Sequence, residues 1–165
     1  MPAKEAALIL QQAADAVIES CDVQLGLRFG ADGQPCALDT ERPLVTSQVP
    51  FTRPTAGWHL AVSADESTAH TFTRLLFGME PEEDVHLEDV ADAIGELVNI
   101  AAGMLRARRL EAGDEVQMGL PLFTRGSVPL TMLPRGVHTL TQRISNPAGL
   151  QFQVSIICCA PTSED

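Results

Sequence analysis

The amino-acid sequence predicts a mixed α/β fold, of the α+β kind, in a single domain spanning residues 1–165. Three observations carry this expectation: two amphipathic helical runs far apart in the chain, β-rich segments following each of them, and a short self-match at a constant offset. At 165 residues and 17.7 kDa the chain is long enough to bury one core and short for two.

The first run, Ala3 to about Ser20, is rich in Ala, Leu and Gln and carries apolar residues at Leu8, Ile9, Ala13, Ala16 and Val17, the spacing of an amphipathic helix. "VQLGLRF" then alternates weakly as a short strand, and the Gly, Pro and Asp content of "ADGQPCALDTERP" marks a loop. "LVTSQVPF" and "WHLAVSA" are β-rich, and "TRPTAG" between them suits a hairpin. Ser67 to Gly78 predicts a short helix closed by Gly78. A long helix from His86 to about Leu110 follows, then three strand-like segments, "EVQMGLPLFTRG", "GVHTLTQRI" and "LQFQVSIICCA". The turn "SNPAG" joins the last two, and "PTSED" is expected to fray.

Helix, strand, loop and two strands therefore occur twice, in units of about residues 3–63 and 86–160, with the short helix 67–78 between them. Residues 77 positions apart test the duplication: "ADAVIESCDVQLG" (Ala14–Gly26) lies over "ADAIGELVNIAAG" (Ala91–Gly103). Asp15 then matches Asp92, Glu19 matches Glu96, Gly26 matches Gly103, and Asp22 stands where the second unit has Asn99. The expectation is a pseudo-twofold repeat.

The long helix has two faces. At ~100° per residue, Val90, Leu97, Val98, Ala101 and Leu105 fall within about 60° of Ile94 and form the buried stripe. Asp92, Glu96, Asn99 and Gly103 cluster on the opposite side. A polar outer face is ordinary, but this one breaks local rules: Asn is a poor helix former, and Gly in a helix interior costs about 1 kcal/mol relative to Ala. Gly95 and Gly103 also strip bulk from around Glu96 and Asn99, which would admit either another molecule or close packing within the fold. Rule-breaking positions are where function concentrates.

Composition narrows the partners. The net charge of −11, from 22 acidic and 11 basic residues, disfavours nucleic acid and anionic membranes, whose recognition rests on clustered Lys and Arg. The one basic cluster, "RARR" at Arg106–Arg109, ends a helix, where cations complement the dipole. No apolar run approaches the ~20 residues of a membrane span, and no export signal is evident, so a cytoplasmic protein is expected. Cys21, Cys36, Cys158 and Cys159 form no Cys-x-x-Cys pair and read as buried thiols; His59, His70, His86 and His138 lack metal-ligand spacing. No metal site is expected.

The run Asp92-x3-Glu96-x2-Asn99, followed after 21 residues by Pro121 in "GLPLFTRG", resembles the signature of the CheC/CheX/FliY chemotaxis phosphatases. "AIGELVNIAAG" is especially similar to CheX, and the likeness in element order extends over nearly the whole chain. The resemblance implies a CheC-like fold, with two long helices against an antiparallel sheet, and a homodimer formed through that sheet. It implies a hydrolase that removes the phosphoryl group from the aspartate of a phosphorylated CheY-type response regulator. Asn99 and Glu96 would be the catalytic pair: Asn99 orients the attacking water, and Glu96 pairs with the regulator's active-site lysine. Asp92, Gly95 and Gly103 would lie against the partner. No cofactor is implied in this chain, since the regulator carries its own Mg2+. The alternative is a non-catalytic module of the same fold that binds the regulator or oligomerises.

Overall fold

The computed structural model describes residues 1–36, 43–54, 56–126 and 138–158. Among the described residues, three helices and seven strands follow in the order α1 (Ala3–Leu25), β1 (Gly30–Cys36), β2 (Leu44–Arg53), β3 (Ala56–Ala64), α2 (Glu66–Phe77), α3 (Leu87–Glu111), β4 (Gln117–Met118), β5 (Leu122–Gly126), β6 (His138–Ser145) and β7 (Gln151–Cys158). The strands form one sheet in the order β1-β6-β7-β3-β2-β4, with β5 also paired to β2, and every pairing is antiparallel. Exchanging β1 with β4 and β5, β2 with β6, and β3 with β7 returns the same order read from the other edge. Such an order is what a duplicated α-β-β-β unit would produce, which supports the repeat as a proposal.

Period-two alternation aims one face of the sheet at the helices. Val45, Val49 and Phe51 of β2, Trp58, Leu60 and Val62 of β3, and Phe152, Val154 and Ile156 of β7 join Ile9, Val17, Ile94, Leu97 and Leu105 of the helices in one core. α1 packs on β6 and β7, α3 on β2 and β3, and the two long helices touch each other. Phe152 sits at the centre, edge-on to Phe72 of α2 at 5.3 Å and tilted against Phe29 at 5.7 Å, while Phe51 and Trp58 stack at 4.0 Å. Phe152→Ala removes the ring that ties α2 to the sheet and is expected to lower unfolding free energy by about 3–5 kcal/mol in a denaturant titration. A loss below about 1 kcal/mol would mean that this core collapses around the gap.

Five expectations need correction. α1 does not stop near Ser20, because Ile9, Ala13, Val17 and Cys21, spaced four apart, are all fully buried and carry the stripe onward. It ends at Gly26, whose φ of 63° supplies the left-handed cap and whose N–H donates to the Asp22 carbonyl at 2.8 Å. "VQLGLRF" is therefore helix end and connection, not strand. The loop expected from Ala31 is instead strand up to Cys36: Gly30–Cys36 pairs with β6 as an exposed edge, and its irregular register between Asp32 and Cys36 accommodates Pro35. Residues 37–42 of the expected loop lie outside the described residues. "EVQMGLPLFTRG" is two strands, broken at 119–121, and Leu8 is 49% exposed where the apolar spacing placed it on the core stripe.

The other elements match. Gly78, at φ 62°, caps α2, and Asp65 caps its start by accepting from the Thr68 N–H at 2.7 Å. His86 precedes α3, and its N–H donates to Asp89 at 2.9 Å. The arginines that end α3 do more than face a dipole. Arg109, with its side chain 7% exposed, is held by Asp114 and lies 3.8 Å from Glu5, which also pairs with Arg53 at 2.8 Å, so one charge network joins α1, β2 and α3. Cys21 and Cys36 are free thiols; burial pushes the Cys21 thiol up to about 12, which keeps it protonated and unreactive at neutral pH. Cys158 is buried, whereas Cys159 and the "PTSED" tail lie outside the described residues. His59 is half-buried, and desolvation lowers its pKa. Among the described residues, no helix is long and apolar enough to cross a membrane, and no group of three or more His, Cys, Asp or Glu side chains is placed to hold a metal ion.

Candidate functional site

Helix α3 positions the site by burying one face completely. Val90, Ala93, Ile94, Leu97, Val98, Ala101, Ala102 and Leu105 are all buried, and this face sets the orientation of the helix about its axis. The opposite residues are fixed outward as a consequence: Asp92, Glu96, Asn99 and Gly103 are exposed.

Three of these outward residues, Asp92, Glu96 and Asn99, line an open groove of about 670 Å³. Asp92, Gly95, Glu96 and Asn99 of α3 supply its polar wall; Phe77 from the end of α2, with Leu120, Pro121 and Phe123, supplies its apolar wall, and Ser47 of β2 also lines it. Four of the five site residues named from the α3 motif thus line a single groove. Gly103 does not line it: it is exposed one turn beyond Asn99. Pro121, distant in sequence, reaches the same groove because the strand breaks between β4 and β5.

The break has a specific cause. The Gly119 N–H donates to the Pro50 carbonyl at 2.9 Å, and a Cβ on Gly119 would meet Pro50 Cγ at 2.7 Å. Only glycine allows this approach, and the chain leaves it with Leu120 and Pro121 at the groove edge.

The helix glycines have a different role. A Cβ at Gly95 or Gly103 would meet nothing within 4 Å, so neither serves close packing inside the fold. That choice, open from sequence, falls to the outer one: the two glycines leave helix backbone bare toward solvent.

The first unit presents a different surface. Asp15, Glu19 and Asp22 are exposed on α1. Glu19, however, is engaged by Arg108 at 2.6 Å, whose other Nη donates to the Gln12 carbonyl at 3.0 Å. A guanidinium from α3 thus lies along the α1 face that corresponds to the groove wall.

Sequence reasoning did not find Phe77, Leu120, Phe123 or Ser47. The Gly78 helix stop fixed the end of α2 but said nothing of what Phe77 would face, and the Ser47 hydroxyl, buried without a hydrogen-bond partner among the described residues, carries no sequence signal.

Comparison with known proteins fits this geometry. The family described as chemotaxis phosphatase CheX matches residues 45–145, more than half of the chain, a span that includes both the α3 motif and Pro121. No curated protein matches significantly. Among solved structures, chemotaxis protein CheX from Vibrio vulnificus superposes with a TM-score of 0.76 at 16% identity, covering 93% of this chain and 100% of that one. A CheC-like superfamily protein from Shewanella sp. PV-4 gives 0.75 at 18%, covering 92% and 97%. A CheX–CheY–BeF3–Mg2+ complex from Borrelia burgdorferi gives 0.69 at 18%, covering 91% and 97%. At these identities the likeness is one of fold, and it agrees with the antiparallel sheet and two long helices expected of a CheC-like protein. Through its matched span, the chain belongs to the CheX family of chemotaxis phosphatases.

Proposed function

We propose that the chain dephosphorylates the aspartyl phosphate of a CheY-type response regulator, with the α3 groove as the docking and catalytic surface. The observation that carries this reading is the convergence of Asp92, Glu96, Asn99 and Pro121 on one open groove in a member of a phosphatase family. The similar fold of a CheX solved in complex with CheY supports a receiver domain as the partner.

The chemistry suits these residues. Hydrolysis of an aspartyl phosphate needs a water in line with the phosphorus–oxygen bond; the water oxygen bonds to phosphorus, the carboxylate leaves, and inorganic phosphate is released. Placement and electrostatics supply most of the acceleration in such a step. The Asn99 amide both donates and accepts, does not titrate, and adds no negative charge beside the phosphoryl group. It orients the water. Glu96, one turn earlier on the same face, pairs with the regulator's active-site lysine and sets the register in which Asn99 enters. Asp92 adds to the negative potential that receives this cation, and Gly95 and Gly103 let the partner approach the helix. The metal at the reacting centre belongs to the regulator.

The test is phosphate release from CheY-type receiver domains of the same cell, charged with a small-molecule phosphodonor, with and without this protein. Release should accelerate for at least one receiver, and Asp22→Ala should keep that acceleration, since α1 has a carboxylate where water orientation asks for an amide. A protein that binds the charged receiver without speeding release is the non-catalytic module instead.

A further inference from the structure

The apolar wall of the groove is unexplained by hydrolysis. Leu120 is 86% exposed and Phe77 48% exposed, yet both line the groove that Asp92, Glu96 and Asn99 line from α3, and Phe123 lines it with them. Leu120 adds nothing to the core. Its position is nevertheless built: Gly119, held against Pro50, fixes the break that turns Leu120 outward, and the next residue is the signature proline. Exposed leucine and phenylalanine sharing one groove with two carboxylates are the features of a recognition surface, not of a solvated one.

We propose that Leu120 and Phe77 form a specificity ledge that takes an apolar side chain of the response regulator, beside the lysine that Glu96 receives. The occupant follows from complementarity. In this groove α3 contributes Asp92 and Glu96, while Phe77, Leu120, Pro121 and Phe123 contribute apolar side chains, so it fits a partner segment with a cation and an apolar group side by side. The apolar contact discriminates among receiver domains that all share the phosphorylated aspartate and the lysine, because a mismatched side chain there leaves the ledge wet or clashes with it. Phe77 and Leu120 come from different elements, so ledge width is set by how α2 and the β4–β5 break sit on the common sheet. The proposal rests on the proposed docking of the regulator in the same groove.

The experiment separates the two. Leu120→Ala, Phe77→Ala and Leu120→Met are compared with wild type in steady-state phosphate release from the preferred receiver domain, and in a binding titration with the same domain charged with beryllofluoride. Both alanine variants should raise KM and Kd about ten-fold while kcat stays within about two-fold, the effect of removing a leucine-sized apolar contact. Leu120→Met should restore wild-type values. Unchanged KM and Kd in both alanine variants overturns the ledge, while an accompanying loss of kcat in Asn99→Ala leaves the phosphatase reading intact. Loss of binding in the ledge variants of a protein that never speeds phosphate release supports the ledge and removes the phosphatase reading. Leu120→Asp in sedimentation velocity gives the remaining outcome: an oligomer that falls apart with receiver affinity unchanged makes the ledge a contact between copies of this chain, and overturns its assignment to the regulator.

Discussion

Asn99→Ala is expected to cut phosphate release by on the order of 10²-fold or more while leaving both stability and regulator binding near wild type. Each factor of ten corresponds to about 1.4 kcal/mol of transition-state stabilisation, so the expected loss is about 3 kcal/mol, in the range for removing a group that positions a nucleophile. The separation of rate from folding is what makes the variant informative. Asn99 is exposed, and among the described residues its side chain has no hydrogen-bond partner, so truncation breaks nothing internal. Alanine is the better helix former, and α3 should melt slightly higher, by some tenths of a kcal/mol. Affinity should also hold, because the acidic residues and the apolar wall remain. Single-turnover phosphate release, paired with thermal unfolding and a binding titration, reads all three quantities. Wild-type turnover in this variant, together with its abolition by Asp22→Ala, would reverse the assignment of the active unit.

The faces of α3 were legible from sequence because a long helix packed on a sheet obeys one period throughout. Ile94, Leu97, Val98 and Ala101 announce the core, and the residues left over have only solvent to face. The hairpin of β2 and β3 and the glycine cap that ends α2 were legible for the same local reason: alternation and a glycine stop act within a few residues. Where local signals competed, tertiary context decided. Cys21 extended α1 because its thiol found the core, and "GADGQPC" became a strand because β6 offered it an edge, although its composition says loop. The groove was half legible. Its polar wall is one helix face, readable on a wheel; its apolar wall is assembled from α2 and the β4–β5 break by contacts such as Gly119 on Pro50, between residues 69 apart in sequence, which no local pattern encodes.

Charge reversal at Glu96 should separate docking from chemistry. Glu96→Lys is expected to weaken binding of the charged receiver domain by 10²-fold or more, because it replaces an attraction with a repulsion of like charges whose juxtaposition costs several kcal/mol. Glu96→Gln, which removes the attraction alone, should lose about ten-fold, and its residual affinity should respond less steeply to salt than that of wild type. Saturating receiver should recover much of kcat in Glu96→Gln, since Asn99 still enters when the apolar wall and Asp92 hold the partner. The control lies on α1. Glu19 matches Glu96 at the 77-residue offset but is held by Arg108 at 2.6 Å, so Glu19→Lys breaks an internal ion pair and should leave receiver affinity unchanged. The pairing gives the first unit's acidic residue a partner inside the chain, whereas Glu96, with no ion pair among the described residues, keeps its charge for a partner outside it. Equal losses from Glu19→Lys and Glu96→Lys would mean that the acidic surface as a whole attracts the regulator, and that α3 sets no register. Loss confined to Glu96, with kcat in Glu96→Gln recovered by excess receiver, leaves Glu96 as the docking residue and Asn99 as the one that touches the reacting water.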